Sequence, residues 1–324
     1  MKRTRKRAWF SCLALVATAA LAGCGGGDIK NTNTAGGAQD CDTFDMAVNP
    51  WVGYEANAHV VGQLATTQLG CDVNYVDLDE QTSWKGFGTG DVDIVIENWG
   101  HPELKAKYMK SAGGNGDAVE AGQTGIDGVI GWYVPPWMAE KYPDITDWKN
   151  LNKYSDLFKT TESGDQGQLL DGDPGYVTYD EALVKNLDLN YKVVVGGSEA
   201  ALIEAFRTAE TNKTPLLAYF YHPQYLFNEM DLVKIDLPPY RPECYSDVSK
   251  IDCDYPPYHL DKIVSSDFSE SGSPALDLVK SFQWTEEDQN TVATYIAEDG
   301  MDPDDAADKW IADNQDKVDA WLGS

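Results

Sequence analysis

The chain has 324 residues and a formal net charge of −28, from 25 Lys and Arg against 53 Asp and Glu. A surface this acidic repels phosphate backbones and anionic lipid headgroups, which excludes a nucleic acid as partner. The simplest interpretation of the charge is a solvated surface that promotes solubility. The length suits one two-lobed protein or two modest domains.

The first 23 residues have the pattern of an export signal. Five basic residues precede an apolar run over 13–22, which is too short to span a membrane, and Leu21-Ala22-Gly23-Cys24 follows. This motif resembles a bacterial lipobox and predicts cleavage before Cys24 and lipidation of its sulfur. An ordinary secretory signal that happens to contain Cys24 is the alternative. Residues 24–40 then form a predicted flexible tether, which places the protein on the outer face of the cytoplasmic membrane.

Four further cysteines agree with export: Cys41, Cys71, Cys244 and Cys253. Four cysteines allow three pairings. Cys41 and Cys71 each precede a strand-like run, whereas Cys244 and Cys253 share one Pro-rich stretch, so we favour the pairs 41–71 and 244–253. No close Cys-x-x-Cys spacing occurs and the chain has 4 histidines, so we expect no metal site.

The mature chain begins with alternating strand-like and helix-like segments. The pattern predicts strands over 44–48, 73–78 and 92–96, a helix over 55–68 and a helical turn over 81–87. Successive βα units of this length favour a parallel sheet with helices on both faces. Ligands of such sheets bind beyond the carboxyl ends of the strands, where Trp51 and Trp99 fall.

A second α/β unit is predicted to follow the first. Its pattern indicates a crossing strand over 125–136, a short helix over 147–151 and a second helix over 180–187. A third helix follows over 198–212, capped by Ser198, and two strands follow it over 216–221 and 232–235. A Pro-rich loop over 238–258 precedes helices around 275–282, 286–298 and 303–322. We therefore predict two lobes, with lobe I over 41–128, lobe II over 129–229, and 230–324 completing lobe I and adding C-terminal helices.

Four aromatic residues lie at strand ends in turns that contain Pro or Gly: Trp51, Trp99, Tyr176 and Tyr221. Such rings are poorly placed to fill a core and well placed to face a ligand. Several converging ring faces would bind a cation that cannot donate hydrogen bonds, such as a quaternary ammonium group. Singly, each ring is core as often as ligand-facing, but their joint appearance favours a cage. Tryptophans in helix-like contexts, such as Trp284, Trp310 and Trp321, are predicted to be packing residues.

Enzyme motifs are scarce in this sequence. It contains no Gly-x-Ser-x-Gly elbow, His-Glu-x-x-His, Walker loop or Gly-x-Gly-x-x-Gly after a strand. Asp171 and Asp173, or Glu97, would be the acids of an exported hydrolase, a minor alternative because such pairs arise by chance among many acidic residues. The same carboxylates would recognise an amine or polyamine in a second alternative. We expect a binding protein with no catalytic residues and no cofactor.

The order and spacing of these motifs resemble the glycine betaine, proline betaine and choline-binding proteins of ABC importers. The resemblance covers roughly residues 41–322. The motifs that carry it lie at 49–53, 91–93 with 97–99, 172–175, 197–199 and 219–223. The resemblance implies an α/β, two-lobed, type II periplasmic-binding-protein-like fold with the ligand cleft between the lobes. It also implies a membrane permease as partner and a quaternary ammonium osmolyte as ligand.

By this resemblance, Trp99 and Tyr221 match the family's aromatic-cage positions best, and Trp51 and Tyr176 match them next best. Trp132, Tyr133 and His222 are further ligand-binding candidates. Tyr176 and Tyr221 stand where some relatives have Trp, so the resemblance does not choose among glycine betaine, proline betaine, choline and carnitine.

Overall fold

A computed structural model describes residues 41–323. The predicted signal peptide (1–23), the lipidation site Cys24 and the predicted tether (24–40) lie outside the described residues. The strands within 41–323 are β1 (Phe44–Val48), β2 (Val73–Asp77), β3 (Ile94–Asn98), β4 (Ala118–Val134), β5 (Gly167–Asp171), β6 (Tyr191–Val195), β7 (Ala218–His222), β8 (Val233–Lys234) and β9 (Tyr258–Ser265).

The α-helices of the same residues pack around these strands. They are α1 (Val52–Leu69), α2 (Glu80–Thr89), α3 (Pro102–Tyr108), α4 (Pro136–Lys141), α5 (Leu151–Tyr154), α6 (Asp180–Asn186), α7 (Glu199–Asn212), α8 (Ser266–Glu270), α9 (Pro274–Ser281), α10 (Glu286–Ala297), α11 (Pro303–Asp313) and α12 (Gln315–Leu322). Between residues 41 and 323, none of them is long and apolar enough to cross a membrane.

The strands form one sheet in the order β2-β1-β3-β9-β4-β7-β5-β6, with β8 beside β4. β1 pairs in parallel with β2 and β3, as the sequence predicts, and β5 pairs in parallel with β6 and β7. The central strands β4 and β9 are antiparallel to their neighbours, so the sheet is mixed and the expectation of a parallel sheet holds for its outer parts only. The α/β fold class is confirmed.

Strand β4 joins two groups of strands. Its first part pairs with β9, while residues 129–134 pair with β7 and β8. One group therefore holds β1, β2, β3 and β9, and the other holds β5 to β8. The chain returns to the first group at β9, after β8. The lobe boundaries at 128 and 229 stay a prediction.

Helix ends follow the capping signals of the sequence. Ser198 caps α7 by accepting a hydrogen bond from the Ala201 N–H at 3.2 Å, as predicted. The predicted single helix over 303–322 is two helices, because Asn314 leaves the helical conformation between α11 and α12. Its side-chain amide donates to the Trp310 carbonyl oxygen at 2.8 Å, an interaction that competes with the backbone ladder.

Three strands, β5, β6 and β9, were not predicted. In β9 the charged pair Asp261-Lys262 breaks the apolar pattern, yet both side chains are buried. The Lys262 Nζ donates to the carbonyl oxygens of Phe282 (2.5 Å) and Lys280 (3.2 Å), at the end of α9. Lys262 therefore satisfies helix-terminal carbonyls from inside the sheet, a tertiary contact that local sequence does not reveal.

Both predicted cysteine pairs lie at disulfide distance. The Sγ atoms of Cys41 and Cys71 are 1.95 Å apart, and those of Cys244 and Cys253 are 2.25 Å apart. Within residues 41–323, no group of three or more His, Cys, Asp or Glu side chains is arranged to hold a metal ion.

Candidate functional site

A cavity of about 410 Å³ brings together the four predicted cage residues. Trp51 follows β1, Trp99 follows β3, Tyr176 lies in the loop after β5, and Tyr221 lies in β7. The cavity therefore takes walls from both strand groups. Five more tyrosines line it: Tyr179, Tyr219, Tyr240, Tyr245 and Tyr258.

Each of the four rings meets the next one edge to face, in the spatial order Trp51, Tyr176, Tyr221 and Trp99. Trp51 meets Tyr176 at a centroid distance of 5.7 Å and an interplanar angle of 82°. Tyr176 meets Tyr221 at 6.0 Å and 84°, and Tyr221 meets Trp99 at 5.7 Å and 79°. Neighbouring rings are nearly perpendicular, so they form the walls of a box and do not stack on one another.

Two glycines make room for these rings. A Cβ atom on Gly172 would lie 2.6 Å from the Tyr176 ring, and one on Gly128 would lie 2.5 Å from the Trp99 ring. Both distances are well below van der Waals contact. A side chain at either position would therefore displace a wall of the box.

The buried carboxylate of Glu97 fixes both indoles. Its Oε1 accepts hydrogen bonds from the Nε1 atoms of Trp51 and Trp99, each at 2.8 Å. Its Oε2 accepts from the Asn57 side chain at 2.5 Å and the Gln289 side chain at 3.0 Å. Burial raises the pKa of Glu97 to about 7, although these hydrogen bonds oppose the shift.

A second buried carboxylate, Glu199, holds the tyrosine side of the box. Its Oε1 accepts from the Tyr221 hydroxyl at 2.5 Å and from Gln224 Nε2 at 3.1 Å. Its Oε2 accepts from the backbone N–H of Val52, the first residue of α1, at 2.9 Å. Glu199 thus joins the β7 wall to the helix that follows Trp51. Burial raises the pKa of this carboxyl group as well.

Tyr176 is held by weaker contacts. Its hydroxyl lies 3.3 Å from the Tyr221 hydroxyl and donates to the Pro50 carbonyl oxygen at 3.2 Å. The predicted turn before it is confirmed, since Asp173 Oδ1 accepts from the Gly175 N–H at 2.7 Å.

The structure does not bring the other three predicted ligand-binding residues into the cavity lining. Trp132 is fully buried and donates from Nε1 to Asp180 at 2.7 Å. Tyr133 and His222 lie on the opposite face of β4 and β7 from Tyr221, because successive side chains of a strand alternate. His222 stacks on Phe227 there, with a centroid distance of 3.5 Å.

The acidic residues considered for an amine receptor or a hydrolase accept hydrogen bonds from other groups of the protein. Glu97 accepts four hydrogen bonds, as described above. Asp171 accepts from the Gly172 N–H at 2.7 Å and the Thr178 hydroxyl at 2.8 Å. Neither these two residues nor Asp173 line the cavity.

Sequence reasoning missed the charged residues of the cavity. Glu80 lies 3.1 Å from His101 Nε2, an ion-pair distance without hydrogen-bond geometry, and its Oε2 accepts from the Val177 N–H at 3.2 Å. Glu103 lies 3.4 Å from His101 Nδ1. Burial alone would lower the pKa of His101, but the charges of Glu80 and Glu103 raise it to about 9, so the ring is protonated at neutral pH.

The remaining charges of the cavity are also paired. Lys105 contacts Asp261, and Asp261 also accepts from the Asn98 side chain at 2.7 Å. Glu120 lies 3.9 Å from Lys105. His259 Nδ1 lies 2.6 Å from Asp127. The one local signal for any of these residues is Asp79, which accepts from the Thr82 N–H at 2.8 Å and so caps α2 directly before Glu80.

The chain is similar to known proteins over most of its length. Residues 42–313 match the family described as the substrate binding domain of ABC-type glycine betaine transport systems. The chain is 26% identical over 275 residues to the trimethylamine N-oxide-binding protein of Pelagibacter ubique (strain HTCC1062), covering 82% of this chain and 86% of the relative. It is 32% identical over 124 residues to the glycine betaine/carnitine transport binding protein GbuC of Listeria monocytogenes serotype 1/2a (strain 10403S), covering 38% and 37%.

Two solved structures show the same fold. Lactococcal OpuAC, closed on glycine betaine, superposes with a TM-score of 0.67 at 22% identity, covering 87% of this chain and 99% of that one. An ABC-transporter choline-binding protein with bound choline gives a TM-score of 0.69 at 16% identity, covering 87% and 91%. These matches confirm the type II periplasmic-binding-protein-like fold. Members of the family are extracytoplasmic solute-binding components of transporters.

Proposed function

Because the chain belongs to the substrate-binding family of ABC-type glycine betaine transport systems, we propose that it captures a quaternary ammonium osmolyte in the aromatic box and delivers it to an ABC permease. The walls of the box are Trp51, Trp99, Tyr176 and Tyr221. Lipidated Cys24 holds the protein at the outer face of the cytoplasmic membrane.

The observation that carries this proposal is the perpendicular arrangement of the four rings around one cavity. A trimethylammonium group spreads its charge over methyl groups and has no N–H to donate. Each desolvated ring face contributes about 0.5–2 kcal/mol to binding such a cation. Three or four faces together contribute about 2–8 kcal/mol before the costs of ordering, and burial of the ligand's methyl groups adds to this sum. Micromolar affinity corresponds to about −8 kcal/mol.

The two buried carboxylates support the same conclusion. Glu97 and Glu199 lie behind the rings and hold them by their polar edges, which leaves ring faces for the ligand. Their ionised forms also favour a cation in the cavity, because electrostatic attraction is stronger in a desolvated site than in water. The box therefore combines π faces with a negative potential.

The ligands named for the relatives share one chemical group. Glycine betaine, choline and trimethylamine N-oxide each carry three methyl groups on a tetrahedral nitrogen. The ligand of this chain is proposed to carry the same group. Closure of the two predicted lobes over it would expel water and present the occupied form to the permease.

Titration calorimetry and Trp fluorescence on the mature protein test the proposal. The probes are glycine betaine, proline betaine, choline, carnitine and trimethylamine N-oxide, and putrescine is the control for the amine-receptor alternative. We expect a saturable response to at least one of the five probes with micromolar affinity. A response to putrescine alone, or to none of them at millimolar concentration, would contradict the proposal.

The anchor is tested separately. Replacing Cys24→Ser should release the protein from membranes or block its processing, because the sulfur that carries the lipid is lost. Cell fractionation with immunodetection measures the distribution. Normal cleavage with unchanged membrane retention would show that the signal is an ordinary secretory one.

A further inference from the structure

One wall of the cavity holds a carboxylate of the protein itself. Glu80 is the first residue of α2 and is buried, and it lines the cavity together with His101 and Val177. One carboxylate oxygen faces the His101 ring and the other accepts the Val177 N–H. The contact also connects α2 to the loop that carries Tyr176.

These partners are the donors that a ligand's carboxylate would need. A protonated imidazole and a backbone N–H form strong hydrogen bonds with an anionic oxygen. In this chain Glu80 already accepts the Val177 N–H and lies at ion-pair distance from the imidazole. A ligand with a carboxylate would have to compete with Glu80 for them, or leave its own charge unpaired beside Glu80.

No other cation of the cavity is free to take that carboxylate. Of the basic side chains that line it within residues 41–323, His101 also contacts Glu103, Lys105 contacts Asp261, and His259 contacts Asp127. The lining adds two further acids, Glu120 and Asp261. A desolvated anion in such surroundings is costly, whereas a hydroxyl group can donate a hydrogen bond to one of these carboxylates.

We propose that Glu80 is a specificity-determining residue that makes this site select trimethylammonium compounds with a hydroxyl group, the choline class, over the betaines. The inference rests on the proposed function. It gives Glu80 two effects, since its charge repels an anionic group, and its oxygens accept the Val177 N–H and neutralise the imidazole charge that would attract one.

Choline and glycine betaine are the probes for this proposal, because they share the trimethylammonium group and differ mainly in a CH₂OH against a carboxylate. Calorimetric dissociation constants are measured for wild type, Glu80→Ala, Glu80→Gln and the double variant Glu80→Ala with His101→Ala. The charge-matched control is Glu140→Gln, which removes an exposed carboxylate on α4 outside the cavity lining. Circular dichroism melts establish that each variant is folded.

For wild type we expect choline to bind about tenfold more tightly than glycine betaine, or better. Glu80→Ala should shift the ratio toward glycine betaine by about tenfold or more, equivalent to about 1.4 kcal/mol. Glu80→Gln should shift it less, because the amide oxygen still accepts the Val177 N–H. Adding His101→Ala should remove the gain, and Glu140→Gln should leave the wild-type ratio unchanged.

Two results would overturn the inference and leave the proposed function standing. One is a wild-type protein that binds glycine betaine as tightly as choline. The other is a ratio that stays constant in Glu80→Ala and Glu80→Gln while both ligands still bind. If none of choline, glycine betaine, proline betaine, carnitine and trimethylamine N-oxide binds the wild type, the proposed function fails and the inference fails with it.

Discussion

The aromatic box and the C-terminal tryptophan cluster use the same residue type in opposite ways. The cluster consists of Trp284, Trp310 and Trp321. In it the rings of Trp310 and Trp321 stack at 5.6 Å and 11°, and Trp284 meets Trp310 edge to face at 5.3 Å. Exposure does not separate the two sites, since Trp51 and Trp99 are 6% and 7% exposed and Trp321 is 7% exposed.

The two sites differ in the hydrogen-bond partners of the indole Nε1 atoms and in what borders the ring faces. Both box indoles donate to one carboxylate, Glu97, so they are oriented from behind and their faces border a cavity. In the cluster, Trp321 donates to a backbone carbonyl, and Trp284 Nε1 has no hydrogen-bond partner among the described residues. A ring whose face is covered by another ring stabilises the fold, whereas a ring whose face borders a cavity can bind a ligand.

The largest effect is expected in the cluster. Trp310→Ala should lower the free energy of unfolding by about 3–5 kcal/mol, because a fully buried indole leaves a cavity between helices. The dissociation constant for choline, measured on folded protein, should stay within about twofold of the wild-type value. Urea denaturation and calorimetry measure the two quantities. A large loss of affinity with little loss of stability would reverse the roles assigned to the two sites.

Glu97→Gln should produce the largest effect on affinity in the box. The new amide can present one oxygen to the indoles, but its NH₂ group then faces the amides of Asn57 and Gln289, which donate to Glu97 in the wild type. An unsatisfied buried donor costs about 1–3 kcal/mol, so the Gln side chain shifts toward a partner and displaces the indoles. Ligand binding must then restore the box at the expense of this energy, which gives a loss of affinity of up to roughly 150-fold. Calorimetry with choline measures the loss. Unchanged affinity would show that Glu97 does not position the walls.

Trp99 gives the sharpest contrast between π attraction and burial. Trp99→Leu should weaken binding by about 1–2 kcal/mol, roughly 5- to 30-fold, and Trp99→Phe should weaken it less, because Phe retains a ring face. The matched pair Trp321→Leu and Trp321→Phe should change the unfolding midpoint and leave the choline affinity nearly unchanged. Equal affinities for the two Trp99 variants would indicate a packing aromatic.

The smallest effect is a pH dependence through Glu97. Its folded pKa of about 7 lies above the ordinary carboxyl value, so between about pH 4.5 and 7 the folded protein holds a proton that the unfolded chain releases. This term stabilises the fold at low pH and is lost as the pH rises toward 7. A bound cation favours the ionised form, so choline affinity should fall by a few-fold as the pH is lowered from 7 to 6.

Calorimetry across this pH range, with Glu97→Gln as control, measures the dependence. The variant has no titrating group at this position, so its profile should be flatter than that of the wild type. Identical profiles would assign the pH dependence to another residue.

The local signals of the sequence were sufficient to predict four aromatic residues that line one cavity. Three of them lie in the loops that follow strands, as predicted, whereas Tyr221 lies within β7. Capping at Ser198 and the two cysteine pairs were predictable for the same reason. These features depend on residues a few positions apart or on simple pairing.

Features that depend on distant neighbours were not predictable. Glu80 is one acidic residue among many until the fold places it beside His101 and Val177. Strand β9 was not predicted because the charged residues Asp261 and Lys262 interrupt its apolar pattern. Both side chains are buried because they form hydrogen bonds with residues that are distant in the sequence. Tyr133 and His222 were predicted site residues, but strand alternation turns them away from the cavity.

The shared oxygen of Glu97 has a consequence for how ligand preference can diverge in this lineage. Because Trp51 and Trp99 depend on one acceptor, a mutation at Glu97 disturbs both tryptophan walls at once. Tyr221 is tied to Glu199, so replacing it leaves a buried carboxylate with one partner fewer. Tyr176 is tied only to a neutral hydroxyl and a carbonyl oxygen, which makes it the wall that can change without orphaning a buried charge. Natural variation in the size of the box should therefore accumulate first at position 176.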